Sequence, residues 1–246
     1  DPREEEALAR ALADAAGRLA ADGSYGEFTA ADARTMHAVA LLKLPEADAR
    51  EAGRGQLAEQ IAVMERLLAG GLVFAGKPAT AQLVDSARMT HAMAVNNLAQ
   101  AWEQRVVGVP VDNLRAAIAA YEQCCALPAR IAEPEKLLHS LHHLALCLRK
   151  LAHEVDDETE QGALLERARD VAERGLELPQ KHPGASFPML DPLRLNRANT
   201  EVHLLLRQRD SGVLAPEEAD RRLREHAEGS LAWLRQTRLR DGAEGR

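Results

Sequence analysis

Apolar residues recur every three or four positions through most of the chain, in segments that glycine and proline separate. This period is typical of amphipathic helices that turn one face toward a core. Two stretches interrupt it: Gly70 to Pro78, and PQKHPGASFPMLDP at 179–192, whose four prolines exclude a continuous helix. The pattern predicts an all-α chain with helices over residues 2–21, 29–44, 45–70, 80–107, 111–127, 134–154, 158–178, 192–210 and 216–238.

The middle of the chain contains an internal repeat. The segments NNLAQAW at 96–102 and AAIAAYEQCCALP at 116–128 are matched by HHLALCL at 142–148 and ERARDVAERGLELP at 166–179. A helix pair that recurs after about 50 residues is typical of a solenoid, in which each pair buries its apolar face against the next.

The two copies resemble tetratricopeptide repeats, in which a large residue, Leu-Gly and Tyr mark the first helix, and Ala, Phe and a closing Pro mark the second. The resemblance implies a right-handed helical-hairpin solenoid, with helices longer than in the family's roughly 34-residue unit. Small residues at Ala99, Ala117, Ala145 and Ala168 are expected where helices approach closely. The matching positions are Val95, Leu98, Ala99, Trp102, Ala117, Tyr121 and Pro128 in the first copy, and Leu141, Leu144, Ala145, Leu148, Ala168, Ala172 and Pro179 in the second.

On this resemblance the chain divides into three regions. Residues 1–77 form an N-terminal helical region of about three helices, 78–180 form two TPR-like helix pairs, and 181–246 contain the Pro-rich loop and a C-terminal helix pair. The resemblance itself covers about residues 90 to 180. Whether the first 75 residues are divergent repeats stays open.

The resemblance also implies a function, because the family binds protein or peptide ligands in a concave groove. The expected function is therefore a protein- or peptide-binding scaffold, whose amides and cations suit an extended backbone and an acidic group. Two alternatives stay open: a regulatory or sensor segment of a larger effector protein, and a helical enzyme that uses the His-rich face 139–147. By carry-over the groove face contains Met93, Asn96, Asn97 and Gln100 in the first copy, and His139, His142, His143, Leu146, Arg149 and Lys150 in the second.

The segment HSLHHLALC at 139–147 raises the question of a metal site. His139, His143 and Cys147 are four residues apart, so they share one stripe of a helix. A structural zinc site takes about four ligands, and one helix supplies two or three. We therefore predict a polar groove face without a metal or cofactor, in which Cys147 packs against small residues.

Several other motifs imitate binding sites. GLVFAGKP at 71–78 has Pro78 where a phosphate-binding loop needs Ser or Thr, so it is predicted to be a linker. VDDETEQ at 155–161 is predicted to cap a helix through Asp157 and Glu160. The Arg-rich segments 221–226 and 235–240 alternate with acids and are predicted to be solvated helix faces with internal ion pairs.

The Pro-rich loop 179–192 is an alternative binding surface, because long loops without secondary structure are often functional. No serine lies in a nucleophile-elbow context, and neither Cys124 nor Cys125 has a recognisable base partner in the sequence. Enzymatic activity is therefore left uncertain.

Composition narrows the classes of partner. The net charge is −7 with alternating acids and bases, which argues against a nucleic-acid partner. No apolar run approaches the roughly 20 residues of a membrane-spanning helix. Three cysteines form no disulfide framework and favour a reducing, cytoplasmic setting. Asp1 in place of methionine leaves open that the chain is part of a larger protein, and the oligomeric state is unknown.

Overall fold

The computed structural model describes residues 2–21, 27–74 and 77–244, and after residue 233 it describes the backbone alone. Helices dominate the described chain, and a short antiparallel ladder joins β1 (Val73–Phe74) to β2 (Lys77–Pro78). The prediction of an all-α chain is confirmed. The helices are α1 (Pro2–Ala21), α2 (Glu27–Leu42), α3 (Ala47–Gly70), α4 (Ala81–Glu103), α5 (Pro110–Ala126), α6 (Pro128–Ile131), α7 (Pro134–Glu154), α8 (Glu158–Leu176), α9 (Leu178–Lys181), α10 (Leu190–Asp210) and α11 (Pro216–Glu244).

Most predicted limits of the long helices lie within two residues of the observed ones, and the exceptions are the ends of α11 and α4. Helix α11 continues to Glu244, beyond its predicted end at residue 238. The pattern continued α4 to residue 107, whereas α4 ends at Glu103. Gly108 adopts a φ of +90°, a conformation that suits glycine, and Pro110 begins the next helix. The residues between therefore form a loop, which lies beside the candidate site.

The chain divides into two compact units, Asp1–Glu133 and Pro134–Arg246. The division falls between the two predicted TPR-like pairs, so each unit contains one of them. The regions predicted from the resemblance follow the repeats rather than this division, and they stay predictions.

In unit 1, α2 packs against α1 and α3, α3 packs against α4, and α4 packs against α5. The two helices α2 and α4 also contact each other. Close packing of α2 and α3 depends on Gly53, where an added Cβ would lie 2.7 Å from the carbonyl oxygen of Ala38. The core contains buried Ala38, Leu57, Ile61, Ala94, Val95 and Cys124.

Unit 2 repeats this arrangement. Its helix α8 packs against α7 and α10, α7 also contacts α10, and α11 packs against α10. Thus α7, α8 and α10 correspond to α2, α3 and α4. None of the described helices combines the length and the apolar character needed to cross a membrane. Side chains with 2% exposure or less include Leu138, Leu141, Leu148, Leu151 and Leu193.

The small residues that the repeat pattern placed at close contacts are fully buried. Ala99 and Ala117 in unit 1, and Ala145 and Ala168 in unit 2, all have 0% exposure. The predicted burial of these positions is confirmed.

Candidate functional site

The predicted groove face of α4 has three accessible positions. Met93 is 42% exposed, and Asn97 and Gln100 are partly exposed. Asn96 is only 9% exposed, so its side chain contributes little surface to a partner. The accessible part of this face is therefore smaller than the carry-over from the repeat family implied.

Asn97 and Gln100 line a cleft within unit 1, called here the α2–α4 cleft. It lies where the last turns of α2 and α4 meet the first turns of α3, and it has a volume of about 80 Å³. That volume holds several water-sized groups. The lining residues are Val39, Leu42, Lys43, Ala47, Arg50, Glu51, Arg54, Asn97, Gln100, Ala101, Gln104, Arg105, Val106 and Val107.

Two arginines hold Glu51 at one wall of the cleft. Arg54 donates to both carboxylate oxygens, with Nη1 2.5 Å from Oε1, and Arg105 donates through Nε at 3.0 Å and Nη2 at 3.1 Å. Hydrogen bonds from Arg54 and then Arg105 lower the pKa of Glu51 to about 2. Both guanidinium groups also lie over the ring of Trp102, at 4.4 and 5.3 Å from its centroid. These contacts hold the side chains of Glu51, Arg54 and Arg105 in defined positions at this side of the cleft.

Lys43 and Arg50 supply further positive charge. Arg50 donates Nη1 to the carbonyl oxygens of Leu44 at 3.0 Å and Pro45 at 2.6 Å. Among the described residues, no carboxylate oxygen lies within 4.0 Å of a side-chain nitrogen of Lys43 or Arg50. The charge of Arg50 nevertheless acts on Glu46, whose pKa is lowered by the hydrogen bond from Arg10 and also by Arg50. The lining therefore has four cationic side chains and one carboxylate, a positive region in a chain of net charge −7.

Beside the cleft is an apolar loop, residues 104–109, called here the valine loop. Val106, Val107 and Val109 are 84%, 47% and 57% exposed. Asn113 holds this loop in place, because its Nδ2 donates to the carbonyl oxygens of Val107 at 2.9 Å and Arg105 at 3.3 Å. Arg105 donates in return to Oδ1 of Asn113 at 2.9 Å. The valines are thus exposed on a loop of defined conformation.

The α2–α4 cleft therefore combines the features of a binding site. Its cations can bind an anion such as a carboxylate, its amides can hydrogen-bond a peptide backbone, and the valine loop offers apolar contact. Sequence reasoning missed Lys43, Arg50 and Arg54, since α2 and α3 do not match the repeat pattern. It missed Arg105 because this residue was predicted to continue helix α4. One available signal was RVVGVP at 105–110, an apolar run directly before a helix-starting proline.

The His-rich segment lies in unit 2, on α7. His142 is 8% exposed, while His139 and His143 are partly exposed, with ring centroids 4.6 Å apart. Cys147 is fully buried, and its packing against small residues stays a prediction. In the part of the chain that the structure describes, no group of three His, Cys, Asp or Glu side chains is placed to hold a metal ion.

Arg149, another predicted groove residue, connects two helices of unit 2. Its Nε donates to Oδ1 of Asn196 on α10 at 2.9 Å, and burial lowers its pKa. Lys150 beside it is partly exposed. Substitution of Arg149 would therefore disturb helix packing as well as any ligand.

A second cleft, the α7–α10 cleft, lies at the corresponding place in unit 2. It has a volume of about 320 Å³, and its rings His153 and His203 stand 4.4 Å apart in an edge-on arrangement. Burial, followed by the charges of His153 and Arg149, lowers the pKa of His203. The lining residues are Ala152, His153, Glu158, Gln161, Leu165, His203, Arg207, Asp210 and Ser211.

The lowered pKa of His203 predicts acid sensitivity. Between the unfolded pKa of about 6.5 and the lower folded value, the unfolded chain binds more protons, so stability falls as the pH falls. We expect the melting temperature to decrease between about pH 7 and pH 5. His203→Gln should make that decrease smaller, whereas His182→Gln, at an exposed histidine, should not. An unchanged pH dependence in His203→Gln would contradict this assignment.

The capping prediction at VDDETEQ is confirmed, since Oδ1 of Asp157 accepts a hydrogen bond from the amide of Glu160 at 2.8 Å. In the segment 71–78, β1 and β2 form the short ladder between α3 and α4, with residues 75 and 76 outside the described part.

The Arg-rich segment 221–226 carries the predicted ion pairs on α11. Arg221 contacts Glu218 at 2.6 Å and Glu225 at 2.5 Å, and Arg222 contacts Glu218 at 2.7 Å. The side chains of 235–240 lie outside the described residues. In the Pro-rich loop, Lys181 pairs with Glu177 at 2.7 Å on the preceding turn.

The chain was compared with protein-family profiles, curated proteins and solved structures, and none of these comparisons gave a match.

Proposed function

We propose that the chain is a protein- or peptide-binding scaffold built from stacked helical hairpins similar to tetratricopeptide repeats. The observation that carries this proposal is the α2–α4 cleft, which places cations, amides and a fixed apolar loop around one concave surface. A scaffold of this kind fits a reducing, cytoplasmic setting, because Cys124, Cys125 and Cys147 form no disulfide and are buried.

The packing of the helices supports the hairpin architecture. In a solenoid of helical hairpins, the first helix of a hairpin contacts its own second helix and the first helix of the next hairpin. This relation holds for α2 with α3 and α4, and for α7 with α8 and α10. The right-handed solenoid implied by the resemblance is part of the proposal.

The chemistry of the cleft favours a peptide segment with acidic and apolar side chains. Lys43 and Arg50 can attract a carboxylate, and Val106 and Val107 can cover an adjacent apolar side chain. Asn97 and Gln100 can bond the peptide backbone between them. In unit 2, the accessible part of the predicted face, with His139, His143 and Lys150, offers a further contact surface.

Selection from a library of random peptides displayed on phage tests this proposal. We expect enrichment of sequences in which an acidic residue lies close to an apolar one. The affinity of a selected peptide is then measured by fluorescence anisotropy. Because two cations are removed, the double variant Lys43→Gln, Arg50→Gln should bind at least about tenfold more weakly. That difference should shrink at high salt.

Arg88→Gln is the matched control, because Arg88 is an exposed arginine near the start of α4 and lies outside the cleft lining. Arg88→Gln should bind like the unmodified chain and keep its melting temperature. Lys43→Gln alone leaves the hydrogen bonds of Arg50 to Leu44 and Pro45 in place, so it should weaken binding at an unchanged melting temperature. Failure to enrich any peptide would contradict the proposed function. Selected peptides that bind the double variant equally well would contradict the cleft as their site.

A further inference from the structure

One stripe of α2 side chains changes from acidic to basic along its length. Asp32, Met36 and Val39 are three or four positions apart, so they lie on the same side of the helix. Met36 is 43% exposed, and Asp32 and Val39 are partly exposed. Lys43, directly after the last turn of α2, continues this spacing and lines the α2–α4 cleft.

The neighbouring stripe belongs to α4. Thr90 on this helix hydrogen-bonds the carboxylate of Asp32. Two turns further along both helices, Asn97 and Val39 line the cleft together. In each of these pairs the residue of α4 comes 58 positions after that of α2, so the two helices run parallel and in register. The two stripes are called here the unit 1 groove, which contains Asp32, Met36, Val39, Lys43, Thr90, Met93, Asn97 and Gln100.

Two methionines occupy the middle of the unit 1 groove. Met36 follows Asp32 by about one turn of α2. Met93, which is 42% exposed, follows Thr90 by about one turn of α4, so both methionines stand at the same level. Methionine side chains are flexible and polarisable, and they adapt to apolar side chains of different shape. The groove therefore has a negative end, an apolar middle and a positive end at the cleft.

We propose that the unit 1 groove binds an extended peptide segment of opposite charge order, with a basic side chain at Asp32, an apolar one at the methionines, and an acidic one at the cations of the cleft. This inference rests on the proposed function, and it adds the basic residue and the spacing of the three side chains. Asp32 and Lys43 are about 16 Å apart along the helix axis, at a rise of about 1.5 Å per residue. An extended peptide covers this distance in about five residues.

The surroundings of Asp32 suit a cationic ligand group. Among the described residues, no side-chain nitrogen of a lysine, arginine or histidine lies within 4.0 Å of its carboxylate. Burial raises the pKa of Asp32, and the hydrogen bond from Thr90 lowers it by a smaller amount. A cation bound at this carboxylate offsets the cost of burying its charge, whereas an acidic side chain at the same point is repelled. Asp32 therefore discriminates between basic and acidic residues of a peptide.

The amide side chains of the groove favour an extended ligand over a helical one. Asn97 and Gln100 are partly exposed, and they lie between the methionines and the cations of the cleft. An extended peptide has backbone N–H and C=O groups that need partners, and amides supply both donors and acceptors, whereas a helix satisfies its own backbone groups. A helical ligand would also need about eleven residues to join the two charged ends, because its rise per residue equals that of α2.

The spacing of charges in the peptides selected from the phage library tests this inference. Enriched peptides should carry a lysine or arginine about five positions from the acidic residue, with an apolar residue between them. A separation of about eleven positions would indicate a helical ligand and overturn the extended one. Enrichment of acidic and apolar residues without a basic residue at a constant separation would overturn this inference and leave the proposed function standing. An absence of enrichment would overturn both.

A double-mutant cycle with one selected peptide tests the contact at Asp32. Asp32→Asn removes the charge and keeps an acceptor for Thr90, so the affinity measured by fluorescence anisotropy should fall at least about threefold at an unchanged melting temperature. A peptide with glutamine in place of its basic residue should bind both chains equally. Asp85→Asn, at an aspartate of α4 whose side chain is 70% exposed outside the groove, is the matched control and should bind like the unmodified chain. A loss for Asp32→Asn that is absent, or equal for both peptides, would overturn the proposal.

Discussion

Replacement of Tyr121 by alanine is expected to lower the free energy of unfolding of unit 1 by about 3–5 kcal/mol, the usual cost of removing a buried aromatic ring. Tyr121 has 0% exposure on α5, and its hydroxyl donates to Oε2 of Glu103 at 3.1 Å. The substitution removes the ring and leaves a cavity between helices. Urea denaturation followed by circular dichroism measures the change.

Tyr121→Phe is the matched control for this prediction. It keeps the ring and removes only the hydroxyl, so we expect a loss of about 1 kcal/mol. If the alanine variant were no less stable than the phenylalanine variant, the ring would not be part of the packed interior of unit 1.

Gly53→Ala is expected to destabilise unit 1 by about 1–3 kcal/mol, although alanine is the better helix former. The new methyl group would lie 2.7 Å from the carbonyl oxygen of Ala38 and 2.9 Å from Cβ of Leu41, so α2 and α3 would have to separate. The last turn of α2 and the first turns of α3 both line the cleft, and peptide binding should therefore weaken as well.

The same helix contains a control glycine whose replacement by alanine is expected to increase stability rather than decrease it. Gly55 lies two residues further along α3, and no atom stands within 4 Å of a Cβ built there. Gly55→Ala should therefore stabilise by about 0.5–1 kcal/mol. Thermal and urea unfolding of both variants gives the comparison, and a gain in stability for Gly53→Ala would show that α2 and α3 are not closely packed at this point.

Local sequence signals were sufficient for the positions of the long helices, but not for the ends of α4 and α11 or for the short elements α6, α9, β1 and β2. Amphipathic spacing located the long helices, and the cap at Asp157 needed only the side chain and the amide of Glu160. Burial of Ala99 and Ala145 was also predictable, because a repeated small residue on an apolar face indicates a close helix contact. These features depend on residues within one or two turns of one another.

The candidate site depends on contacts that the sequence pattern does not contain. Arg105 meets Glu51 across 54 positions of the chain, and nothing in the spacing of either residue indicates the other. The early end of α4 depends on the tertiary hydrogen bonds of Asn113 and on the positive φ of Gly108. The burial of Asn96 and His142 was missed as well. The repeat pattern assigns a residue to one face of a helix, but it does not say how far neighbouring helices bury that residue.

The hydrogen bonds of Asn113 have a consequence for the kinetics of recognition. A flexible loop must be ordered when its ligand arrives, and this loss of conformational entropy weakens the complex and can slow its formation. The backbone of the valine loop is ordered when the protein folds, because Asn113 hydrogen-bonds the carbonyl groups of Arg105 and Val107 in the absence of a ligand. A ligand of the proposed site would therefore meet the valine loop with its backbone already ordered, as in rigid docking rather than induced fit.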